Sequence, residues 1–541
     1  MKMRWARPHL AVAVVTAAAL GLTGCGGTTQ IAHMISGVHT GAAAGSTLVT
    51  TNSGAVQGAS SGGIVSFLGI PYAAPPSGAL RFAAPQARAA WTTTLQATSY
   101  GPRCPQIGRG GVGTQTATED CLYLNIWEPS SGSNLPVYMF IHGGGFSGGS
   151  GADYNGSWLA AQGVIVVTIN YRLGIFGYLA DTALDTGGGN TGNYGLEDQQ
   201  FALKWIQANI AAFGGNPNNV TLGGESAGAM STCENLASPN AKGLFARAIV
   251  ESGPCTVNWQ SLSTAEATGS SLAASLGCTG TSSAVAACLR TQTISQLLTV
   301  QNSAPPTGLF PSAGGSDIPV QPRTVLGKVP LLLGGNNLEL GIGGTNTSMT
   351  QAMYDSNALA TYGSPDATFI EAEYTVPPYT NYGSMWVHTE TDFDPSPGAI
   401  QITFCEDVAT WTLDTTNGGT IYAYEFNDPN APSGTAGAPE GPVHTSELQY
   451  LFPLASGGPT QDVPLSADSA TLSTAMVSYW TNFMKTGNPN GSGLATWSAY
   501  SGPTTAMQLV PDAVEAGTDT NGEHHCSFWN GINGALSSSR R

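Results

Sequence analysis

Short runs rich in β-branched and aromatic residues alternate with a helical pattern between Leu135 and Phe426, and this alternation restricts the chain more than any other feature. Leu135 to Ile141, Val164 to Asn170, Val220 to Gly223, Val329 to Leu333 and Thr420 to Phe426 read as strands. Gly195 to Ile210 reads as a helix, because Ala202, Ile206 and Ile210 recur at four-residue spacing beside Leu203 and line up one apolar stripe. Strands that are apolar along their length and separated by helices belong in a mostly parallel sheet covered on both faces. The expected fold is therefore α/β, with a large, mostly parallel central sheet, helices on both faces, and insertions at about residues 255–325 and 340–415. No composition break or internal repeat divides the chain after residue 45, so residues 46–531 are read as one large domain and 532–541 as a tail.

Composition excludes several classes. With 41% hydrophobic residues the chain has ample material for a core, and with a formal net charge of −17 it lacks the basic footprint that nucleic-acid binding requires. The amino terminus reads as an export signal. Lys2, Arg4 and Arg7 precede an apolar stretch from Leu10 to Leu22, too short to span a bilayer but suited to a signal peptide over residues 1–24. Leu22-Thr23-Gly24-Cys25 is similar to the bacterial lipobox, which implies lipidation of Cys25, with residues 25–45 as a flexible tether. The expected location is outside the cytoplasm, as a cell-surface or periplasmic bacterial lipoprotein, with plain secretion as the alternative. Membrane contact would come only through the lipid. Cys25 set aside, an even number of cysteines remains from nine, as expected where disulfides form. Nearness in sequence favours Cys104 with Cys121 and Cys278 with Cys288. No Cys-x-x-Cys or His-x-x-x-His spacing occurs, so no metal site is expected.

Chemistry concentrates where strands end. Gly224-Glu225-Ser226-Ala227-Gly228 lies between an apolar run and an Ala-rich helical segment, the setting of a strained turn that lifts a serine hydroxyl above a sheet edge. The run Val137 to Ile141 leads into His142-Gly143-Gly144-Gly145-Phe146, whose bare backbone can aim N–H groups at a developing oxyanion. Among the histidines, position leaves His388 and His444 as bases. His444 is favoured, because it follows a late strand and a Gly/Pro-rich loop, whereas His524 and His525 sit in the tail beside Cys526. The carboxylate that holds the imidazole should lie between the nucleophile and the base in chain order. Glu339 fits, following a strand by a short link, and Asp317, Asp355 and Glu425 stay open on the residues alone.

These residues resemble the type-B carboxylesterase and cholinesterase-like family of α/β-hydrolases, over about residues 48–530. The landmarks are Phe67-Leu68-Gly69-Ile70-Pro71-Tyr72-Ala73, Leu80-Arg81-Phe82, Glu119-Asp120-Cys121-Leu122-Tyr123-Leu124-Asn125, Asn193-Tyr194-Gly195-Leu196-Glu197-Asp198-Gln199, the Gly-Glu-Ser-Ala-Gly-Ala segment, and Gly441-x-x-His444-x-x-Glu447-Leu448. The resemblance implies Ser226 as nucleophile, Glu339 as triad acid, His444 as base, and Gly144, Gly145 and Ala227 as oxyanion donors. It implies a salt bridge between Arg81 and Glu119, disulfides Cys104–Cys121 and Cys278–Cys288, and by family position Cys405–Cys526, which leaves Cys233 with Cys255. Two departures stand out. Leu340 replaces the family's usual Gly after the acid, and the segment between Cys104 and Cys121, a longer flap in the family's lipases and cholinesterases, is short here. The implied activity is cofactor-free hydrolysis of a small-molecule carboxylic ester through an acyl-enzyme. A lipase or sterol esterase is the near alternative, and a non-catalytic surface binding protein the distant one. Tyr379, Tyr382 and Trp386 read equally as site walls or as core.

Overall fold

The computed structural model describes residues 43–106, 117–304, 308–394, 402–432, 440–454, 463–511, 514–517 and 523–539, all within one compact unit, His39–Arg541. The stretch read as a signal peptide (1–24), Cys25, the stretch read as a tether as far as residue 42, and residues 107–116 between Cys104 and Cys121 lie outside the described residues.

Eleven strands form the main sheet: β1 (Ala59–Ser61), β2 (Ile64–Pro71), β3 (Tyr123–Pro129), β4 (Leu135–Ile141), β5 (Ile165–Ile169), β6 (Gly215–Glu225), β7 (Arg247–Glu251), β8 (Leu331–Asn336), β9 (Ile421–Phe426), β10 (Met507–Leu509) and β11 (Glu515–Ala516). Their spatial order is β11-β10-β9-β8-β7-β6-β4-β5-β3-β2-β1. From β5 through β4, β6, β7, β8 and β9 to β10 every neighbouring pair is parallel, and antiparallel pairing is confined to the two margins. Parallel strands need crossovers, and helices supply them. The longer ones are α1 (Tyr194–Asn209), α2 (Ala227–Ala237), α3 (Leu262–Ser275), α4 (Ser282–Thr291), α5 (Ile294–Gln301), α6 (Gln351–Tyr362), α7 (Asp366–Glu373), α8 (Tyr382–Asp392), α9 (Phe404–Thr416), α10 (Ala467–Thr486) and α11 (Cys526–Ser539). The two insertions read from the sequence carry α3 to α5 and α6 to α9. Helix α11 continues through residues 532–539, which the sequence reading had set apart as a tail.

The two-residue side-chain period of β4 divides the core. Val137, Met139 and Ile141 face one apolar cluster that includes Ala202, Leu203 and Ile206 of α1 and Ile210 just after it, while Tyr138 and Phe140 face a second that includes Leu472, Met476, Trp480 and Phe483 of α10. Every one of these side chains is buried. Four disulfides join Cys104 to Cys121, Cys233 to Cys255, Cys278 to Cys288 and Cys405 to Cys526. Bridges of this kind persist in oxidising surroundings, so this is an exported protein. Arg81 meets Glu119 through two hydrogen bonds, Nε to Oε1 at 2.6 Å and Nη2 to Oε2 at 2.5 Å. No described helix is long and apolar enough to cross a membrane.

The described chain begins at the edge of the sheet away from the β4 and β6 carboxyl ends. Ala44 N–H donates to the Gly132 carbonyl at 2.8 Å, and Gly45 N–H donates to Glu128 Oε1 at 2.8 Å. Ala44 also lies against Gly214, just before β6.

Candidate active site

Strand β6 ends at Glu225 and α2 starts at Ala227, so Ser226 alone makes the turn between them, at φ 56° and ψ −123°. That conformation is strained for a residue with a Cβ and persists only where its surroundings enforce it. Here they do. A Cβ at Gly224 would lie 2.4 Å from the Ile141 carbonyl oxygen, and one at Gly228 would lie 1.9 Å from it, so β4 presses on both sides of the turn and only glycine fits. The Ser226 amide donates to the Glu251 carbonyl at 2.9 Å, which ties the turn to β7, and the Cys233–Cys255 bridge fastens α2 to the segment after β7. Ser226 is 5% exposed.

The glycine strip follows β4 beside this turn. A Cβ on Gly143 would meet the Glu225 carboxylate at 2.5 Å and Ser226 Cβ at 3.0 Å. Gly144 has φ +114° and Gly145 φ +59°. The Gly144 carbonyl accepts from the N–H groups of Ser147 and Gly148, both at 3.1 Å, so the trans peptide aims the Gly145 N–H the opposite way. His142 is no candidate base. Burial, with a smaller contribution from Arg103, lowers it to about 4, and its ring stacks on Tyr171 at 4.5 Å.

His444 follows β9 after the described residues 440–443, and Glu339 follows β8. His444 Nδ1 lies 2.6 Å from Glu339 Oε2, and the His444 N–H donates to the Glu339 carbonyl at 3.2 Å. Glu339 is fully buried, and its Oε1 accepts from Asn336 N–H at 2.7 Å. Leu340, where the family usually has Gly, lies in a 3₁₀ turn, Glu339–Gly343, whose right-handed φ suits any L residue. The other imidazole nitrogen, Nε2, is 3.2 Å from Glu225 Oε1, next in sequence to Ser226. Burial by itself lowers the His444 pKa, but the Glu225 and Glu339 carboxylates outweigh it and bring the group to about 9. Glu447, raised to about 7 chiefly by burial and then by Glu339, accepts from Asn336 Nδ2 at 2.5 Å and from Ser252 Oγ at 3.3 Å.

The alternatives left open by the sequence lie elsewhere. Asp317 pairs with Asn240, Asp355 is on α6, Glu425 in β9 meets His524, and His388 on α8 packs against Tyr379. Tyr379, Tyr382 and Trp386 pack at the margin of the apolar cluster around Tyr354, Tyr362 and Trp529. Sequence reasoning did not assign Glu225 a role on the imidazole, although the residue stands inside the Gly-Glu-Ser-Ala-Gly segment.

A strained serine between a parallel strand and a helix, a glycine strip on the neighbouring strand, and a His–Glu pair after later strands together define an α/β-hydrolase. The family model described as Carboxylesterase family matches residues 45–529. The chain is 34% identical to the medium-chain fatty acyl-CoA hydrolase precursor of Anas platyrhynchos, with 93% of this chain and 95% of the relative covered. It is 33% identical to the para-nitrobenzyl esterase of Bacillus subtilis (strain 168), covering 88% and 97%. A solved PNB esterase structure superposes with a TM-score of 0.72 at 33% identity, covering 86% of this chain and 96% of that one. The chain belongs to the carboxylesterase family, and it is a carboxylic ester hydrolase.

Proposed function

We propose that Ser226 is the nucleophile of this hydrolase, His444 its general base and Glu339 the triad acid, with the N–H groups of Gly144, Gly145 and Ala227 as the oxyanion hole. The observation that carries this reading is the 2.6 Å contact between His444 Nδ1 and Glu339 Oε2 beside the strained turn at Ser226. In the reaction, neutral His444 takes the proton of the Ser226 hydroxyl as Oγ attacks the ester carbonyl. The oxyanion draws on the amides of the glycine strip and on the amino end of α2. Imidazolium returns the proton to the leaving alcohol, and water activated by His444 then cleaves the acyl-enzyme. No step requires a cofactor.

The acyl side is read from what borders the oxyanion strip. Phe146 packs edge-on against Trp259 at 5.6 Å and lies 5.7 Å from Phe310, in one apolar cluster with Ala227. An aromatic wall here favours an apolar acyl chain over a charged one. A series of p-nitrophenyl esters of increasing acyl length, with fluorophosphonate labelling of Ser226, tests the reading. Expected are stoichiometric labelling and kcat/KM that rises with chain length before it falls. Activity that rises sharply only at an oil–water interface would turn the reading toward a lipase.

The shifted base gives a pH prediction. Only neutral imidazole accepts the proton, so the acid limb of kcat/KM should lie above the ordinary histidine value of 6.5, toward 9. Glu225→Gln removes one of the two carboxylates and should move that limb to lower pH. The same shift acts on stability. A raised histidine pKa stabilises the fold fully below 6.5 and loses that contribution as pH rises through about 9, so the melting temperature should fall across that window. A limb at or below 6.5 in the wild type would refute the electrostatic account.

Lipidation of Cys25 is proposed on the sequence Leu22-Thr23-Gly24-Cys25 alone. Incorporation of a labelled fatty acid that is lost in Cys25→Ala would support it, and an unlipidated secreted product would refute it.

A further inference from the structure

His524 is buried, with 1% of its side chain exposed, and a carboxylate lies against each ring nitrogen. Nδ1 is 2.6 Å from Asp392 Oδ1 and Nε2 is 3.0 Å from Glu425 Oε1, while the ring stacks on Phe404 at 3.8 Å. A histidine that meets two carboxylates donates from both nitrogens only as imidazolium, so the cluster holds one cation between two anions. The group agrees with this. Burial alone would lower its pKa, but Asp392 and Glu425 bring it to about 10. His388 and Asp407 are the other titratable groups within electrostatic range. Cys526, two residues on, is bonded to Cys405 of α9, so the backbone beneath His524 is covalently tied.

Both carboxylates stand next to groups that grip the turn carrying Glu339. Glu425 Oε1 also accepts from Asn337 Nδ2 at 2.5 Å, and Asn337 N–H donates to the Phe426 carbonyl at 3.0 Å. Asp392 ends α8, and its neighbour Thr391 accepts from Leu340 N–H at 3.2 Å through Oγ1. Between these two points lies Glu339, whose Oε1 is held at 2.7 Å by the N–H of Asn336, just before the first. Asn336 Nδ2 donates to the Val443 carbonyl at 3.0 Å, immediately before His444. The turn from 336 to 340 is thus gripped at Asn337 by β9 and at Leu340 by α8, and His524 joins the two grips.

We infer that His524 is a positioning residue for ester hydrolysis: by bridging Asp392 and Glu425 it clips α8 to β9 around the turn that holds Glu339 against His444. This rests on Glu339 being the triad acid. An acid held by a turn is only as well placed as the turn, and misplacement by about 1 Å is enough to cost roughly a hundredfold in rate.

The test compares Asn337→Ala, His524→Gln and Glu339→Gln in the full-length enzyme, with kcat expressed per site titrated by the burst of a p-nitrophenyl ester. Asn337 is only half-buried, so its truncation removes one link and leaves the ion cluster whole. The expected result for Asn337→Ala and His524→Gln is a fall in kcat per titrated site of roughly ten- to a hundredfold with little change in KM. The acid limb should also move to lower pH, because a displaced Glu339 no longer supports imidazolium at His444, where Glu225, Glu447 and Asp407 remain the facing acids. A merely structural role would lower the number of titratable sites and the melting temperature but leave kcat per site and the limb in place. If Glu339→Gln collapses activity while Asn337→Ala keeps wild-type kcat per site and acid limb, the clip is overturned and the triad reading stands. If Glu339→Gln retains wild-type kcat, the triad reading itself fails.

Discussion

Ser226→Ala is expected to lower kcat by roughly a millionfold, because the members of a nucleophile–base–acid set act as a unit and the attack has no substitute group. The fold should not suffer. Alanine at φ 56° carries the same Cβ strain as serine, and the forces that hold the turn are the β4 contacts on Gly224 and Gly228 and the hydrogen bond from the residue-226 N–H to the Glu251 carbonyl, none of which uses the hydroxyl. Circular dichroism and the melting temperature should therefore match the wild type while fluorophosphonate labelling disappears. Hydrolysis of a p-nitrophenyl ester by the purified variant at close to the wild-type rate would sink the assignment.

Glu339→Gln should cost about ten-thousandfold in kcat, the loss seen when a triad carboxylate becomes an amide. The argument is one of tautomers. Glu339 Oε2 accepts the Nδ1 proton of His444, which leaves Nε2 bare and able to take a proton. A glutamine amide in that place can present its own N–H to Nδ1, which moves the imidazole proton to Nε2, beside Glu225 Oε1, and disables the base. Because the substitution is nearly isosteric and Asn336 N–H still finds an oxygen, KM and stability should change far less than kcat. Steady-state kinetics of a variant that keeps even a tenth of the wild-type kcat would remove Glu339 from the proposed mechanism.

What the sequence discloses and what it hides have physical causes. Strands β4, β5, β6, β8 and β9 are legible because both faces are buried, so each shows as an apolar run, whereas β7 hides because its apolar run is three residues between Arg247 and Glu251. Strand β2 escapes the same reading because Ser66 and Gly69 break its apolar run, and β3 because buried polar residues interrupt it. In β3, Asn125 donates to Thr168 and accepts from Gly69 N–H, and Glu128 accepts from Gly45 N–H. The serine turn is legible because its steric demands are local and select glycine at fixed offsets. The proposed acid is legible only in part, since its short link to a preceding strand favours Glu339 but leaves Asp317, Asp355 and Glu425 open. Only the return of the chain at Val443 and His444 separates them, and on the sequence side the family resemblance supplied that distinction. His524 was read as part of a tail because its partners, Asp392 and Glu425, lie 132 and 99 residues away.

The tie between Gly45 and Glu128 also fixes an orientation. Strand β3 runs opposite to β5, so its Glu128 end lies level with the start of the parallel strands, while Ser226 caps their finish. Gly215 lies opposite Leu135 and Gly224 opposite Ile141, six steps along β4, so those levels are about 20 Å apart at the usual rise per residue. The described chain therefore enters the fold at the pole opposite the serine turn.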